Sequence, residues 1–253
     1  MRGVHFSPSS RARLTPYDLG RFTGDTLFDR LGRTVCAAGC LPRKELYEAW
    51  QVARRARRLL RGGRVIDIAG GHGLLAQVML LLDDSSPSAI VVDTALPPST
   101  AVLHGALVGD WPRLAGRVRF SNASLEDTAL RADDVVVSSH ACGALTDRVL
   151  DAAIGARSRV AVLPCCHDLE TCDAGQLCGW VEPSLAIDIG RAVRLEAAGY
   201  RVWTQTIPAD HPEEPAAARC AAVGLEEKHR RQQEQEEAHR VGDEGQHHAG
   251  ALG

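Results

Sequence analysis

The segment Val65–Ala76, with the sequence VIDIAGGHGLLA, constrains the fold of this chain more than any other stretch. β-Branched residues lead into Asp67, glycines follow at positions 70, 71 and 73, and apolar residues continue to Leu82. This order is typical of a buried strand, a tight turn and a helix, because glycine accepts positive φ and lets the backbone approach a ligand closely. Since the first N–H groups of a helix lack partners within it, the turn predicts a ligand-binding site.

Short apolar strands alternate with helices along the rest of the chain. The predicted strands are Val65–Ile68, Ala89–Asp93, Arg117–Phe120, Val135–Ser138, Val160–Leu163 and Arg201–Ile207, with Arg219–Gly224 as a candidate final strand. The predicted helices between them are Leu74–Leu82, Thr100–Gly109, Thr146–Ala156 and Ser184–Ala198. The alternation predicts an α/β fold, in which a mostly parallel, twisted sheet carries helices on both faces. Ligands of such sheets bind at the edge where the strands end.

The spacing of the glycines separates two kinds of nucleotide ligand. A dinucleotide-binding turn follows Gly-x-Gly-x-x-Gly, which from Gly71 would require glycine at the position of Leu74. The pattern that fits is acid-x-small-x-Gly-x-Gly, formed by Asp67, Ala69, Gly71 and Gly73. It resembles motif I of the class I S-adenosylmethionine (SAM) methyltransferases, which form a Rossmann-like fold. Ala69 replaces the usual first glycine, and we expect it to keep a negative φ.

This resemblance implies SAM as the cofactor and a set of residues that hold it. Asp93 ends the second predicted strand, twenty residues past Gly73, where a carboxylate commonly binds a ribose diol. Asn122 follows the third strand, where an adenine amine would be recognised and where many SAM enzymes carry aspartate. The predicted cofactor-binding residues are Asp67, Ala69, Gly70, Gly71, Gly73, Asp93 and Asn122.

Two cysteine-containing motifs make the resemblance more specific. His140-Ala141-Cys142-Gly143 follows the fourth predicted strand, and Pro164-Cys165-Cys166-His167 follows the fifth. The chain resembles a branch of methyltransferases with His-x-Cys-Gly and Cys-Cys motifs, which includes eukaryotic tRNA ribose 2′-O-methyltransferases and several methyltransferase-like proteins. The resemblance covers about residues 40–207, but residues 208–216 lack the polar segment expected there. It implies a substrate pocket formed by Cys142, Gly143, Cys165 and Cys166.

Methyl transfer to a ribose hydroxyl needs a group that removes the hydroxyl proton, and histidine titrates near neutral pH. Their positions make His140, or His167 together with Asp168, the predicted catalytic residues. Each histidine can instead brace the pocket through hydrogen bonds to the backbone, and that alternative stays open. Asp188 and Arg191 are spaced for an ion pair on one helix face, which we interpret as a surface pair.

The eight cysteines do not predict a metal site. No Cys-x-x-Cys pair occurs, and adjacent cysteines rarely bind one tetrahedral ion together, so thiols lining a pocket are favoured over zinc. No apolar run is long enough to cross a membrane, and no apolar run follows the basic N-terminal residues. We therefore expect a cytoplasmic protein without a membrane partner.

Charge divides the chain into three predicted parts. Residues 1–62 form a basic extension and a leading helix, residues 63–225 a SAM-binding domain, and residues 226–253 a polar tail predicted to be disordered. Residues 1–64 hold 14 Arg and Lys against 5 Asp and Glu, which favours an anionic partner such as RNA. Arginine outnumbers lysine 27 to 2, however, so a compositional bias is the alternative explanation.

Together these patterns favour an enzyme that transfers a methyl group from SAM, with an RNA ribose or base as the expected acceptor. Three alternatives stay open: a module that binds SAM or its product without turnover, and a methyltransferase that acts on a protein or on a small molecule. The glycine spacing disfavours an NAD-dependent oxidoreductase.

Overall fold

The structure is a computed structural model that describes residues 10–164 and 166–207 and the backbone of residues 219–225. The α-helices in these ranges are α1 (Leu27–Ala38), α2 (Arg43–Leu59), α3 (Leu74–Leu82), α4 (Thr100–Asp110), α5 (Ala144–Ala156) and α6 (Pro183–Ala197). The strands are β1 (Val65–Ile68), β2 (Ala89–Asp93), β3 (Val118–Asn122), β4 (Val135–Ser138), β5 (Arg159–Val162), β6 (Arg201–Ile207) and β7 (Arg219–Leu225).

The strands form one sheet in the order β3-β2-β1-β4-β5-β7-β6. The five strands from β3 to β5 are parallel, and β7 pairs antiparallel with both β5 and β6. The predicted α/β fold with a mostly parallel sheet is therefore confirmed. The final strand also forms: β7 pairs with β6 from Ile207↔Arg219 to Arg201↔Leu225.

The helices cover the two faces of the sheet in separate apolar layers. Because side chains alternate along a strand, Val135 and Val137 of β4 face one layer and Val136 faces the other. Helices α1 to α4 contribute to the first layer, and α5 and α6 contribute to the second. Both faces of the central strands are thus buried, which explains their continuous runs of valine and isoleucine.

The N-terminal segment shares the first of these apolar layers. Leu14, Phe22 and Leu31 are buried in the same cluster as Val65 at the start of β1. The Leu14 N–H donates to the carbonyl of Leu41 at 3.0 Å, which holds the segment against the start of α2. The boundary predicted at residue 62 lies between α2 and β1, and the core is continuous across it.

Part of the positive charge of this segment supports the fold. The Arg57 side chain is 3% exposed and donates to the carbonyls of Met79 and Leu60 and to the Ser86 hydroxyl. Its guanidinium also lies 3.1 Å from the Asp83 carboxylate. Burial lowers the pKa of Arg57 to about 10, against the attraction of Asp83. Arg57 is therefore unavailable to a nucleic acid, whereas Arg54 and Arg58 on the same helix are exposed.

Candidate functional site

Asp67 lies at the end of β1, buried beneath the glycine turn. Its side chain is 1% exposed, and Oδ2 accepts a hydrogen bond of 3.1 Å from the Ala76 N–H in the first turn of α3. The other oxygen, Oδ1, is buried and has no hydrogen-bond partner among the described residues. Burial raises the pKa of Asp67 to about 7, so this carboxyl group changes charge near neutral pH.

The glycine turn requires the absence of side chains at two of its positions. A Cβ at Gly70 would lie 2.7 Å from a Val91 methyl carbon, and a Cβ at Gly73 would lie 2.7 Å from Val91 and 2.8 Å from Phe120. Gly71 differs, because it has a φ of +51° and nothing lies within 4 Å of its missing Cβ. The turn is therefore packed against β2 and β3 on one side and open at Gly71.

Ala69 departs from the sequence-based expectation. Its φ is +54°, so the predicted negative φ is wrong. This left-handed residue lies between the end of β1 and Gly70, whose N–H donates to the carbonyl of Val92 on β2 at 3.2 Å. An alanine there costs roughly 1–2 kcal/mol relative to the ordinary helical region.

Asp93 connects the turn to the neighbouring strand. Its carboxylate accepts hydrogen bonds of 3.0 Å from the Gly71 N–H and from the Ala95 N–H. The adjacent Asn122 is paired in register with Asp93, and its side-chain oxygen accepts from the Leu96 N–H at 3.2 Å. The predicted cofactor residues thus lie together at one edge of the sheet, and we call Asp67, Gly70–Gly73 and Asp93 the glycine crevice.

His72 is a residue at the crevice that the sequence analysis missed. Its Nε2 lies 2.9 Å from the Ser99 hydroxyl and its Nδ1 lies 3.4 Å from the Glu45 carboxylate. These contacts bring the start of α2 and the start of α4 to the crevice. The only signal in the sequence was the position of His72 inside the glycine turn.

The residues of the crevice fit SAM. The open space at Gly71 and the unpartnered Asp67 Oδ1 leave room and a hydrogen-bond acceptor. Asp93 uses one hydrogen bond on each oxygen, and a carboxylate has about four lone-pair sites, so it can still accept from a ribose diol. SAM presents such a diol together with a positively charged sulfonium, which suits a crevice that contains two carboxyl groups.

The loop after β4 is tied to the end of β1. The Ser138 hydroxyl donates to the carbonyl of Ile68 at 2.7 Å and accepts from the Ala141 N–H at 3.2 Å. These bonds hold the intervening His140 at the same sheet edge as the glycine turn. His140 is half-buried, and its ring makes no hydrogen bond to a described residue.

The loops after β4 and β5 meet at the predicted pocket residues. The Gly143 N–H donates to the carbonyl of Cys166 at 3.1 Å, and the sulfur atoms of Cys142 and Cys166 lie 3.3 Å apart on the surface. Cys165 lies outside the described residues. Among residues that the structure does describe, no group of three or more metal-binding side chains occurs, and the absence of a metal site stays a prediction.

His167 and Asp168 do not form the predicted pair. The Asp168 carboxylate accepts from the Thr171 hydroxyl at 2.8 Å and from the Glu170 N–H at 3.0 Å, and these bonds lower the pKa of Asp168. The carboxylate beside His167 is instead Asp188, with 2.9 Å between Nε2 and Oδ2. The Asp168 carboxylate therefore stabilises the turn after β5, because both of its hydrogen-bond partners lie within that turn.

Arg191 and Asp188 form the predicted ion pair, but Arg191 is buried, so the prediction that this pair lies on the surface is wrong. The Arg191 side chain is 3% exposed and donates to both oxygens of Asp147, at 3.1 and 2.6 Å. It also donates to Asp188 Oδ1 at 3.2 Å and to the carbonyl of Gly143 at 3.1 Å. Helix α6 turns this residue toward α5 and the β4 loop, which the spacing of two residues on one helix could not reveal.

The positive charges of Arg191 and Arg194 offset the cost of burying the Asp147 carboxylate. Burial alone would raise the pKa of Asp147, but the hydrogen bonds and charges of Arg191 and Arg194 outweigh it and hold that pKa below its ordinary value. The same hydrogen bonds raise the pKa of Arg191 against the effect of burial. We call His140–Gly143, Asp147, His167, Asp188 and Arg191 the β4–β5 cluster.

The family comparison supports an enzyme of the transferase class. Residues 50–171, just under half of the chain, match a family described as a methyltransferase domain. No curated protein matches the chain by sequence. Within the described ranges, no helix has both the length and the apolar character needed to cross a lipid bilayer.

Several solved structures that resemble this one carry methyltransferase names. A candidate RNA methyltransferase from Pyrococcus horikoshii is 18% identical, with a TM-score of 0.46 over 73% of this chain and 84% of that one. An O-methyltransferase family protein from Burkholderia thailandensis is 18% identical, with a TM-score of 0.48 over 85% and 64%. The M1A22 tRNA methyltransferase TrmK of B. subtilis is 14% identical, with a TM-score of 0.45 over 70% and 64%.

Proposed function

We propose that this chain is a SAM-dependent methyltransferase, which binds SAM in the glycine crevice and methylates a ribose or a base of RNA. The observation that carries the proposal is the 3.0 Å hydrogen bond from the Gly71 N–H to the Asp93 carboxylate. This bond joins the open point of the turn to the group suited to a ribose diol. The two parts of an adenosyl site therefore lie side by side.

Each crevice residue has a separate proposed role. Asp93 would accept from the ribose hydroxyls, and Asn122, in register beside it, would face the adenine. Asp67 would brace the turn by accepting from the Ala76 N–H, and its carboxyl group would be only partly charged near neutral pH, because burial raises its pKa to about 7. Gly71 would leave space for the ligand. When bound, SAM supplies a methyl group on a positively charged sulfur and leaves as a neutral thioether.

The basic N-terminal segment supports an RNA acceptor. Arg11 and Arg13 are exposed, and Arg13 forms an isolated backbone bridge with Pro42 just before α2. The first turn of α2 carries Glu45, which contacts His72 in the crevice. The arginines are thus linked through the start of α2 to a residue that contacts the crevice, and we infer that they attract phosphates toward it. The cysteine motifs resemble those of tRNA ribose methyltransferases, which favours RNA over a protein or small molecule.

The β4–β5 cluster is the proposed acceptor side of the site. Cys142, Gly143 and Cys166 meet there, and His140 and His167 are the two groups that can take a proton from the acceptor. An acceptor held in line with the methyl group would gain most of its rate from proximity and orientation. General base catalysis would add roughly 10²–10⁴-fold.

The proposal is tested by transfer of tritiated methyl groups from SAM to total RNA, to protein and to small-molecule fractions of a cell lysate. We expect label in RNA, and we expect calorimetry to detect binding of SAM and of S-adenosylhomocysteine. Asp93→Asn should weaken both, while Asp133→Asn, a substitution of an exposed aspartate before β4, should not. Binding without label in any fraction would indicate a SAM-binding module, and label in protein alone would exclude RNA as the acceptor.

A further inference from the structure

We propose that Asp188 positions His167 as the group that takes the acceptor proton, and that Arg191 and Asp147 hold Asp188 in place. This inference rests on the proposed function for its chemistry. Its structural part, the control of one imidazole by one carboxylate, can be measured without any substrate.

The contact between His167 and Asp188 is buried and close. Nε2 of His167 lies 2.9 Å from Asp188 Oδ2, and the two side chains are 12% and 9% exposed. The nitrogen itself is buried, and the ring N–H does not point along the line to the carboxylate. The carboxylate thus acts on the imidazole mainly through its charge. The exposed Glu182 also interacts electrostatically with His167, but Asp188 is the carboxylate at 2.9 Å from this nitrogen.

Asp188 divides its two oxygens between two partners. Oδ2 faces His167, while Oδ1 accepts a hydrogen bond of 3.2 Å from Arg191. Arg191 is fixed in turn by two hydrogen bonds to Asp147 on α5 and by one to the carbonyl of Gly143. A chain of four side chains therefore runs from α5 through α6 to the loop after β5.

This row of four side chains determines which imidazole nitrogen of His167 can act as a base. A carboxylate beside Nε2 favours the neutral tautomer with its proton on Nε2, which leaves the lone pair on Nδ1. In the proposed step the acceptor O–H bond would break and its proton would bond to Nδ1. The oxygen electron pair would form the bond to the methyl carbon, while the bond from that carbon to the sulfur of SAM would break and leave its electron pair on the neutral thioether. The positive imidazole is then stabilised by Asp188 and later releases its proton to solvent.

A neighbouring carboxylate distinguishes His167 from His140. No carboxylate or other described residue orients the ring of His140, although that residue lies at the same sheet edge. His140 is free to contact the acceptor or brace the loop, but nothing selects one of its tautomers. The general base of the proposed reaction is accordingly His167.

The direct test is nitrogen-15 NMR of the imidazole groups at pH 8, where neutral histidine tautomers are resolved. The His167 signals are assigned by their loss in His167→Gln. We expect the Nε2–H tautomer in the unmodified protein, a mixture in Asp188→Asn, and the original tautomer in Asp188→Glu. Asp151→Asn is the matched control, because Asp151 is 60% exposed and lies 3.5 Å from Arg194 at the far end of the ion pairs.

Asp188→Asn should still fold, because the amide keeps the size of the side chain and Arg191 keeps both bonds to Asp147. If it does not fold, Asp188→Ala, which also removes the carboxylate, answers the same question: a mixture of tautomers supports the proposal, and the original tautomer overturns it. An unchanged tautomer in Asp188→Asn, or an Nδ1–H tautomer in the unmodified protein, would overturn the proposal.

Activity on total RNA supplies the second readout. Asp188→Asn should lower kcat about 10- to 100-fold while the KM for SAM changes less than about twofold. Combined with His167→Gln it should cause no further loss, because both changes remove the same function. A further loss in the double variant would show that Asp188 acts elsewhere. If the unmodified protein methylates nothing, the proposed function fails, and the NMR result still decides whether Asp188 positions His167.

Discussion

The glycine crevice and the β4–β5 cluster lie at the same sheet edge but are held together in different ways. In the crevice, carboxylates accept from backbone N–H groups, as Asp67 does from Ala76 nine residues later and Asp93 does from Gly71 in the preceding turn. In the cluster, side chains bond to one another across long separations, as Arg191 does to Asp147. The crevice is held through the backbone of two neighbouring strands and the turn between them, whereas the cluster forms only when two helices and two loops have packed.

The two regions also differ in their charge. Among the residues that the structure describes, none pairs a positive charge with either acidic side chain of the crevice, and burial raises the pKa of Asp67 to about 7. In the cluster, Asp147 and Asp188 share the guanidinium of Arg191. The crevice is therefore suited to a ligand that brings positive charge, and the cluster is suited to hold a proton-accepting group in one orientation.

The largest expected effect is the loss of the buried cation in the cluster. Arg191→Met leaves Asp147 and Asp188 without this partner, and breaking a buried ion pair in this way typically costs about 3–5 kcal/mol. The free energy of unfolding, measured by urea denaturation, should fall by that amount. Arg194→Met is the control, because this side chain is 38% exposed and should cost about 1 kcal/mol or less. Equal losses in the two variants would contradict the buried network.

Asp67 gives the crevice a pH dependence of opposite sense to an ordinary salt-bridged aspartate. Its pKa is about 7 in the folded protein, against 3.8 for an unperturbed aspartate. Between these values the folded state keeps a proton that the unfolded state has lost, so this group lowers the free energy of unfolding as the pH rises. A shift of this size corresponds to about 2–4 kcal/mol between pH 4 and pH 7.

Asp67→Asn should remove that pH dependence, which is measured by denaturation at a series of pH values. Asn keeps an oxygen that can accept from the Ala76 N–H, so the fold is preserved. A variant whose stability changes with pH as in the unmodified protein would contradict the assignment of this titration to Asp67.

Asp93 should affect the ligand more than the fold. Asp93→Asn keeps one acceptor oxygen for a backbone N–H but loses the charge and the second acceptor, so the Kd for SAM should rise about 10- to 100-fold. Calorimetry measures this change, and the melting temperature provides the control. Asp188→Asn in the cluster should leave SAM affinity within about twofold; a large loss of affinity there would remove the distinction between the two regions.

Ala69 provides the smallest test. Ala69→Gly relieves the left-handed alanine but adds freedom to the unfolded chain, so the free energy of unfolding should rise by no more than about 1 kcal/mol. Ala69→Val should instead lower it by about 1–2 kcal/mol, because a β-branched side chain fits this conformation poorly. The opposite order of stabilities would exclude the positive φ.

The sequence predicted the regions whose signals are local. The strands from Val65 to Ile207 and the helices between them follow hydrophobic patterns of a few residues, and the turn at Gly70–Gly73 has its own spacing. Asp67 and Asp93 end their strands, so their meeting at one edge follows from a parallel sheet. The positive φ of Ala69 could not be predicted, because it lies next to a contact with another strand, the bond from Gly70 to Val92, that no local pattern shows.

The partners in the β4–β5 cluster could not be predicted for a related reason. Asp168 is the neighbour of His167 in sequence, but the carboxylate beside its ring comes from Asp188 on α6. Arg191 was interpreted as a surface residue because i, i+3 spacing shows which residues share a helix face and not what covers that face. The burial of this face depends on how α6 packs against α5, which is a property of the whole fold.

The central claim is that the glycine crevice binds the adenosyl part of SAM. A crystal structure of the protein grown with S-adenosylhomocysteine tests it most directly. We predict density for the ligand over the turn at Gly71, with the ribose hydroxyls within hydrogen-bond distance of Asp93. Ligand bound elsewhere on the protein, or a crevice that stays closed by its own side chains at saturating ligand, would contradict the claim.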